Sequence, residues 1–194
     1  MGEARGSITV FTGPMFSGKS KALMARLETK QRAHKKVLII KPALDNRFGV
    51  PDGIVAKKKG LQRFEPCDSM PARSVSSDTE FVEMVKREKP DVIGIDEAQF
   101  FGPWLGAVLI EYRSVGYEIF VAGLDLDAWR RPFGPMPDLL AYADDIDKFT
   151  ASCFVCGQDA RFTQKTGGSS SEQIQVGAEE FYEARCESCW GQPN

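Results

Sequence analysis

Eight residues near the start of the chain, Gly13-Pro14-Met15-Phe16-Ser17-Gly18-Lys19-Ser20, constrain the fold more than any other stretch. They match G-x-x-x-x-G-K-[ST], a loop whose glycines let successive backbone N–H groups turn inward around a polyanion. Such a loop works only between a strand and a helix. Residues 7–12 read as the strand, and an amphipathic segment carrying Leu23, Met24 and Leu27 reads as the helix. The helix N-terminus adds partial positive charge, and Lys19 can reach the β- and γ-phosphates of a nucleoside triphosphate. The Ser20 hydroxyl is the expected Mg²⁺ ligand. The bland alternative is a Gly-rich turn with a surface lysine; the strand and helix on either side weigh against it.

Further strands are expected at 37–41, 91–96 and 117–122, several of them continuous apolar runs suited to a parallel sheet buried on both faces. Between them, Phe81, Val82 and Val85 form a helical stripe that Ser77 or Asp78 can cap. Trp104, Leu105, Val108, Leu109 and Tyr112 form another, and the simplest role of these stripes is core. The pattern predicts an α/β fold, a P-loop-type parallel sheet flanked by helices. Residues 1–150 are expected to form this nucleotide-binding domain and 151–194 a small zinc-binding lobe. Residues 43–76 are rich in Pro, Gly and Lys with weak periodicity, which suits a long hairpin or a loop over the site.

In a P-loop fold a second carboxylate is needed on the metal side. Val92-Ile-Gly-Ile-Asp96 delivers one at the carboxyl end of a strand, where ligands of open α/β sheets collect. Asp96 is therefore a candidate Mg²⁺-side acid. Glu97 follows it, and on extended backbone the two would point in different directions. Glu97 is either a carboxylate that orients an acceptor hydroxyl and takes its proton or a second metal-side acid; the pattern alone leaves both open.

The second strong signal is Cys153/Cys156 with Cys186/Cys189. Two C-x-x-C pairs suit one tetrahedral, closed Zn²⁺ site, which is structural and has no open position for catalysis. Zinc contributes about 10 kcal/mol or more to the folding of small peptides, enough to staple a lobe with little core. Segments 161–165 and 173–176 are expected to pair as strands across the polar turn 167–171. Cys67 is expected to be a reduced thiol, and His34, the only histidine, a helix-end or surface residue. Arg130 and Arg131 are phosphate candidates, although each taken alone reads as an ordinary surface residue.

A net charge of −2 provides no broad basic field, and Glu172, Glu179, Glu180, Glu183 and Glu187 make the cysteine region acidic, so nucleic acid is not expected as a partner. No apolar run is long enough to cross a membrane and no hydrophobic leader is evident, so a cytoplasmic location is expected.

Taken together, the ordered set is Gly13 to Ser20, Asp45-x-Arg47-Phe48, Asp96-Glu97-x-Gln99-Phe100-Phe101, Gly123-Leu124-Asp125, Arg131-Pro132-Phe133, the cysteine pairs, Val176-Gly177 and Phe181-Tyr182-Glu183. It resembles the cytosolic, zinc-containing (type II) thymidine kinase family over nearly the whole chain. The resemblance implies ATP-dependent phosphorylation of the 5′-hydroxyl of thymidine, with ATP, Mg²⁺ and structural Zn²⁺ bound, and a homotetramer. It implies that Glu97 is the proton acceptor, and that Asp96 and Gln99 belong to the nucleotide-site segment. Asp45 and Arg47 would lie near the phosphates. Met15, Phe100, Leu124, Phe133 and Thr163 would enclose the base, and Val176, Gly177 and Tyr182 would belong to a lasso loop closing over the nucleoside.

The chain departs from that pattern in places. Ala128 then Trp129 stand where the family has a base-contacting phenylalanine, so Trp129 is a candidate substitute. Ala178 replaces a second lasso glycine, and Ile54-Val-Ala-Lys57 replaces a Ser-His segment. These departures keep open a kinase of another or modified pyrimidine deoxynucleoside. A nucleotide-gated zinc-ribbon binding module without transfer activity is the alternative of a different class.

Overall fold

A computed structural model describes residues 6–44, 53–59, 64–167 and 181–191 of the chain. In chain order the elements are β1 (Ser7–Thr12), α1 (Lys19–Arg32), β2 (Val37–Pro42), β3 (Gly53–Lys59), β4 (Phe64–Pro71), β5 (Arg73–Val75), α2 (Asp78–Glu88) and β6 (Val92–Ile95). A single 3₁₀ turn, Ala98–Phe100, follows. Then come α3 (Trp104–Ser114), β7 (Glu118–Gly123), α4 (Met136–Tyr142), β8 (Asp145–Lys148), β9 (Ala151–Ser152), β10 (Asp159–Ala160), β11 (Phe162–Lys165) and β12 (Tyr182–Arg185).

Six strands form one sheet in the order β5-β2-β6-β7-β1-β8, with every pairing parallel. The period-2 pleat divides the apolar runs between its two faces. Ile8, Val10, Leu38, Ile40, Ile93, Ile95, Ile119 and Val121 share a core with Phe81 and Val85 of α2, Leu105 and Leu109 of α3, and Met136 and Leu139 of α4. The alternate residues Phe11, Ile39, Val92, Phe120 and Ala122 face Leu23, Met24 and Leu27 of α1, together with Ile54 of β3 and Met70 of β4. One face thus carries three helices; the other carries one helix and the β3–β4 hairpin. On that second face α1 lies unusually close to the sheet. A Cβ on Gly94 of β6 would come within 2.5 Å of Leu27 Cδ1.

The helix ends differ in a way that matters for the site. Ser77 caps α2, accepting from Glu80 N at 3.2 Å, while the Glu80 carboxylate reaches back to Ser76 N. This is capping by the local sequence. α1 follows Gly18, at φ 87, with no side-chain cap and no acid in its first turn. Its leading N–H groups and dipole carry no competing local anion.

The expected strands at 7–12, 37–41, 91–96 and 117–122 are present within a residue at most ends. The region 43–76 supplies the hairpin and also β5, an unexpected strand at the sheet margin. At the opposite margin β8 is exposed throughout. It is short and charged, as befits an edge that must not recruit another strand.

β11 pairs antiparallel with β12, with Phe162 opposite Arg185 and Lys165 opposite Tyr182, a pairing not expected from the sequence. Residues 173–176 themselves lie outside the described residues. Among the described residues, no helix is long and apolar enough to cross a membrane.

Candidate active site

Three adjacent strands, β6, β7 and β1, end on the same side of the sheet and deliver the candidate residues. Beyond β1 the loop turns through Gly13 at φ 134 and Phe16 at φ 65. Gly13 is required sterically as well, because a Cβ there would sit 2.3 Å from the Phe149 carbonyl oxygen. The Lys19 ammonium donates to Pro14 O at 2.6 Å and to Ser17 Oγ at 3.4 Å, folded back over the loop it belongs to. Burial lowers its pKa to about 8, although Glu97, Asp96 and Asp125 all pull it upward. A phosphate oxygen at this position would supply the close anionic partner that keeps the lysine charged.

From β6 comes Asp96, 5% exposed, whose Oδ1 accepts the Ser20 hydroxyl at 3.1 Å. The two residues that the motif assigns to a divalent cation are therefore already in contact, and a hard cation with oxygen ligands suits them. Glu97 follows directly, but not on extended backbone. β6 has ended at Ile95, and Glu97 is left-handed at φ 52, ψ 42. That conformation is strained for a residue with a Cβ and recurs where function fixes a side chain. The Gln99 amide nitrogen donates to Glu97 Oε2.

β7 ends in Gly123, and Leu124 N donates to Gln99 Oε1 at 2.9 Å. Asp125, 8% exposed, pairs with Lys148 at 2.8 Å. The next segment is organised by Asp127, a buried acid that the sequence did not single out. Its Oδ1 accepts from Trp129 N at 2.9 Å and Arg131 N at 2.8 Å, and its Oδ2 pairs with Arg131 Nε at 2.9 Å. Phe133 returns to the site and meets Phe100 edge-on, with ring centroids 5.6 Å apart. Trp129 lies between cations, 5.1 Å from the Arg131 guanidinium carbon and 5.9 Å from Lys165 Nζ.

Arg130 and Arg131 are both engaged by protein groups. Arg131 serves Asp127. The Arg130 guanidinium lies 3.7 Å from the Phe162 ring centroid and 4.1 Å from that of Trp190, and its Nη1 meets Glu187 at 2.7 Å. Nothing in the local sequence of Arg130 signals this stack, because its partners are distant in the chain.

The four cysteines converge. Their Sγ atoms lie within 4.8 Å of one another, with Cys156 and Cys186 at 3.6 Å. Thiolates bound tetrahedrally at about 2.3 Å from zinc are about 3.8 Å apart, so the cluster fits that ion. The two pairs sit on tight turns, one closed by Cys153 N donating to Gln158 O at 2.7 Å and the other by Cys189 N donating to Cys186 O at 3.2 Å.

This cluster touches the phosphate loop. Met15 N donates to Thr163 Oγ1 of β11 at 3.1 Å, and the Phe16 ring lies 6.0 Å from Phe154, between the first two cysteines. Tyr182 starts β12 opposite Lys165. Asp45, Arg47, Val176 and Gly177 lie outside the described residues, as does the side chain of Cys67.

A parallel sheet bearing a phosphate loop, a hydroxyl–carboxylate pair and a second carboxylate beside the loop's lysine belongs to a P-loop phosphotransferase. The thymidine kinase family profile matches residues 6–190. A thymidine kinase from Deinococcus radiodurans is 41% identical over 92% of this chain and 87% of its own length. One from Deinococcus deserti is 40% identical over 93% of this chain and 92% of its own length. The chain belongs to the thymidine kinase family. The Legionella pneumophila ATPase DotB superposes with a TM-score of 0.39 at 14% identity, over 72% of this chain and 35% of that one, a likeness too slight to bear on the site.

Proposed function

We propose that the chain transfers the γ-phosphoryl group of ATP to the 5′-hydroxyl of thymidine, giving thymidine monophosphate. Family membership and the two thymidine kinase relatives support the nucleoside. One observation supports the chemistry above the rest: Asp96 contacts Ser20, while the next residue, Glu97, sits on a left-handed backbone and accepts from the buried Gln99 amide.

In this reading the loop Gly13, Pro14, Met15, Phe16, Ser17, Gly18, Lys19 and Ser20 wraps the triphosphate, the N–H groups from Phe16 to Ser20 donate to it, and Lys19 spans its β- and γ-phosphates. Ser20 and Asp96 hold Mg²⁺, which when bound neutralises charge on the phosphate oxygens. Asp45 and Arg47 complete the phosphate side. Glu97 aligns the acceptor hydroxyl and takes its proton late, since a loose transition state needs positioning more than deprotonation. Met15, Phe100, Leu124, Trp129, Phe133 and Thr163 enclose the base, and Val176, Gly177 and Tyr182 close over it. Residues 1–150 act as the nucleotide-binding domain and 151–194 as a lobe stapled by zinc on the four cysteines. The enzyme is a cytoplasmic homotetramer, by likeness to its family.

The reading is tested by product analysis after incubation with ATP, Mg²⁺ and a panel of deoxynucleosides, in which thymidine should be the preferred acceptor. Glu97→Gln should lower kcat by about 10²-fold or more while leaving ATP affinity nearly unchanged. Equal loss of ATP affinity would move Glu97 to the metal side, and a different preferred nucleoside would overturn the substrate.

A further inference from the structure

Gln99 is 1% exposed at the middle of the 3₁₀ turn. Both ends of its amide have protein partners: Oε1 accepts from Leu124 N, and Nε2 donates to the Glu97 carboxylate. The orientation is determined, because a backbone N–H can only donate, so the oxygen must face Leu124 and the NH₂ must face Glu97. The surroundings admit little freedom. Gly134 is left-handed at φ 52, and a Cβ on it would lie 2.2 Å from Gln99 O. A Cβ on Gly123 would lie 3.0 Å from Gln99 Oε1.

We propose that Gln99 is the positioning residue of Glu97 and acts on the acceptor side of the reaction, not as a ligand of the nucleotide. This rests on the reading of Glu97 as the acceptor-side carboxylate. A donor aimed at a carboxylate fixes the position of its oxygens. The same amide holds Leu124, so the orientation of the carboxylate and the position of a segment expected to border the base are set by one side chain. A residue acting this way governs kcat. A residue that bound ATP would govern KM for ATP.

Gln99→Glu is the informative change. It preserves shape and the acceptor for Leu124 N, while placing a like charge against Glu97. Two carboxylates within hydrogen-bond reach repel, so the added charge pushes the Glu97 side chain from its place. Gln99→Met deletes the donor without adding charge.

The experiment measures kcat and KM for ATP and thymidine in the full chain, for wild type, Gln99→Glu, Gln99→Met and Glu97→Gln, with ATP affinity measured separately by titration. Gln99→Glu should lower kcat by about tenfold to a hundredfold, and Gln99→Met by less. KM and affinity for ATP should stay within about twofold in both. An unchanged kcat in both variants, or a rise in KM for ATP that accounts for the lost activity, would overturn the proposal while leaving Glu97 in place. Full turnover in Glu97→Gln would remove the premise and the proposal together.

Discussion

At Glu97 the backbone adopts a conformation that glycine accepts freely and other L-residues do not. With that backbone, Asp96 stays beside Ser20 while Glu97 accepts from the Gln99 amide. The strain is measurable. Glu97→Ala and Glu97→Gly remove the same carboxylate, so the difference between them isolates the backbone. At most positions glycine is the less stable of the two; here the glycine variant should exceed the alanine variant by about 1–2 kcal/mol in denaturant titrations. Equal stabilities would mean that the turn relaxes once the side chain is gone. Much of the site was legible at this scale. The spacing of Lys19 and Ser20 and the apolar run into Asp96 express local chemistry. The left-handed turn at Glu97 was not legible, because glutamate carries no signature for it.

Elements are positioned by residues whose partners lie far along the chain. The segment between β7 and α4 is folded on Asp127 and anchored at its tip by Arg130, itself left-handed at φ 62, between Phe162 and Trp190. A guanidinium stacked on two rings contributes more than an exposed pair does. Arg130→Ala should lower unfolding free energy by about 1–2 kcal/mol, and Arg130→Lys should recover only part of that, since the planar face is lost. If lysine restored full stability, the ion pair with Glu187 would carry the contact and the rings would not.

The same distance dependence explains which strands were readable. β1, β2, β6 and β7 are buried on both faces, and their sequences are apolar for that reason alone. β8 is an exposed, charged edge with no alternation, and β5 is three residues long. The pairing of β11 with β12 spans a stretch whose length no local pattern encodes.

Over the whole molecule, the cysteine cluster and the phosphate loop form one mechanical unit. The cluster's small core includes Phe16 of the loop, and Thr163, paired with Ala184 two residues before Cys186, accepts from Met15 N. Removing zinc with a chelator should therefore weaken ATP binding as well as loosen the cysteine region. Thr163→Val should weaken ATP binding by about fivefold with zinc content unchanged, because one hydrogen bond contributes about 1 kcal/mol. Titration of ATP alongside metal analysis checks both; undiminished ATP affinity in the chelated protein would show that the loop holds its shape alone.

The spacing of the reaction centre also depends on an atom the chain does not have. Gly94 leaves the space that the Leu27 side chain fills, since an added Cβ would lie 2.5 Å from Leu27 Cδ1 and push that side chain aside. Through Leu27 the helix that begins at Lys19 packs onto the strand that runs into Asp96. The gauge between polyanion and counter-acid is built two residues behind the chemistry, at a position that no substrate touches.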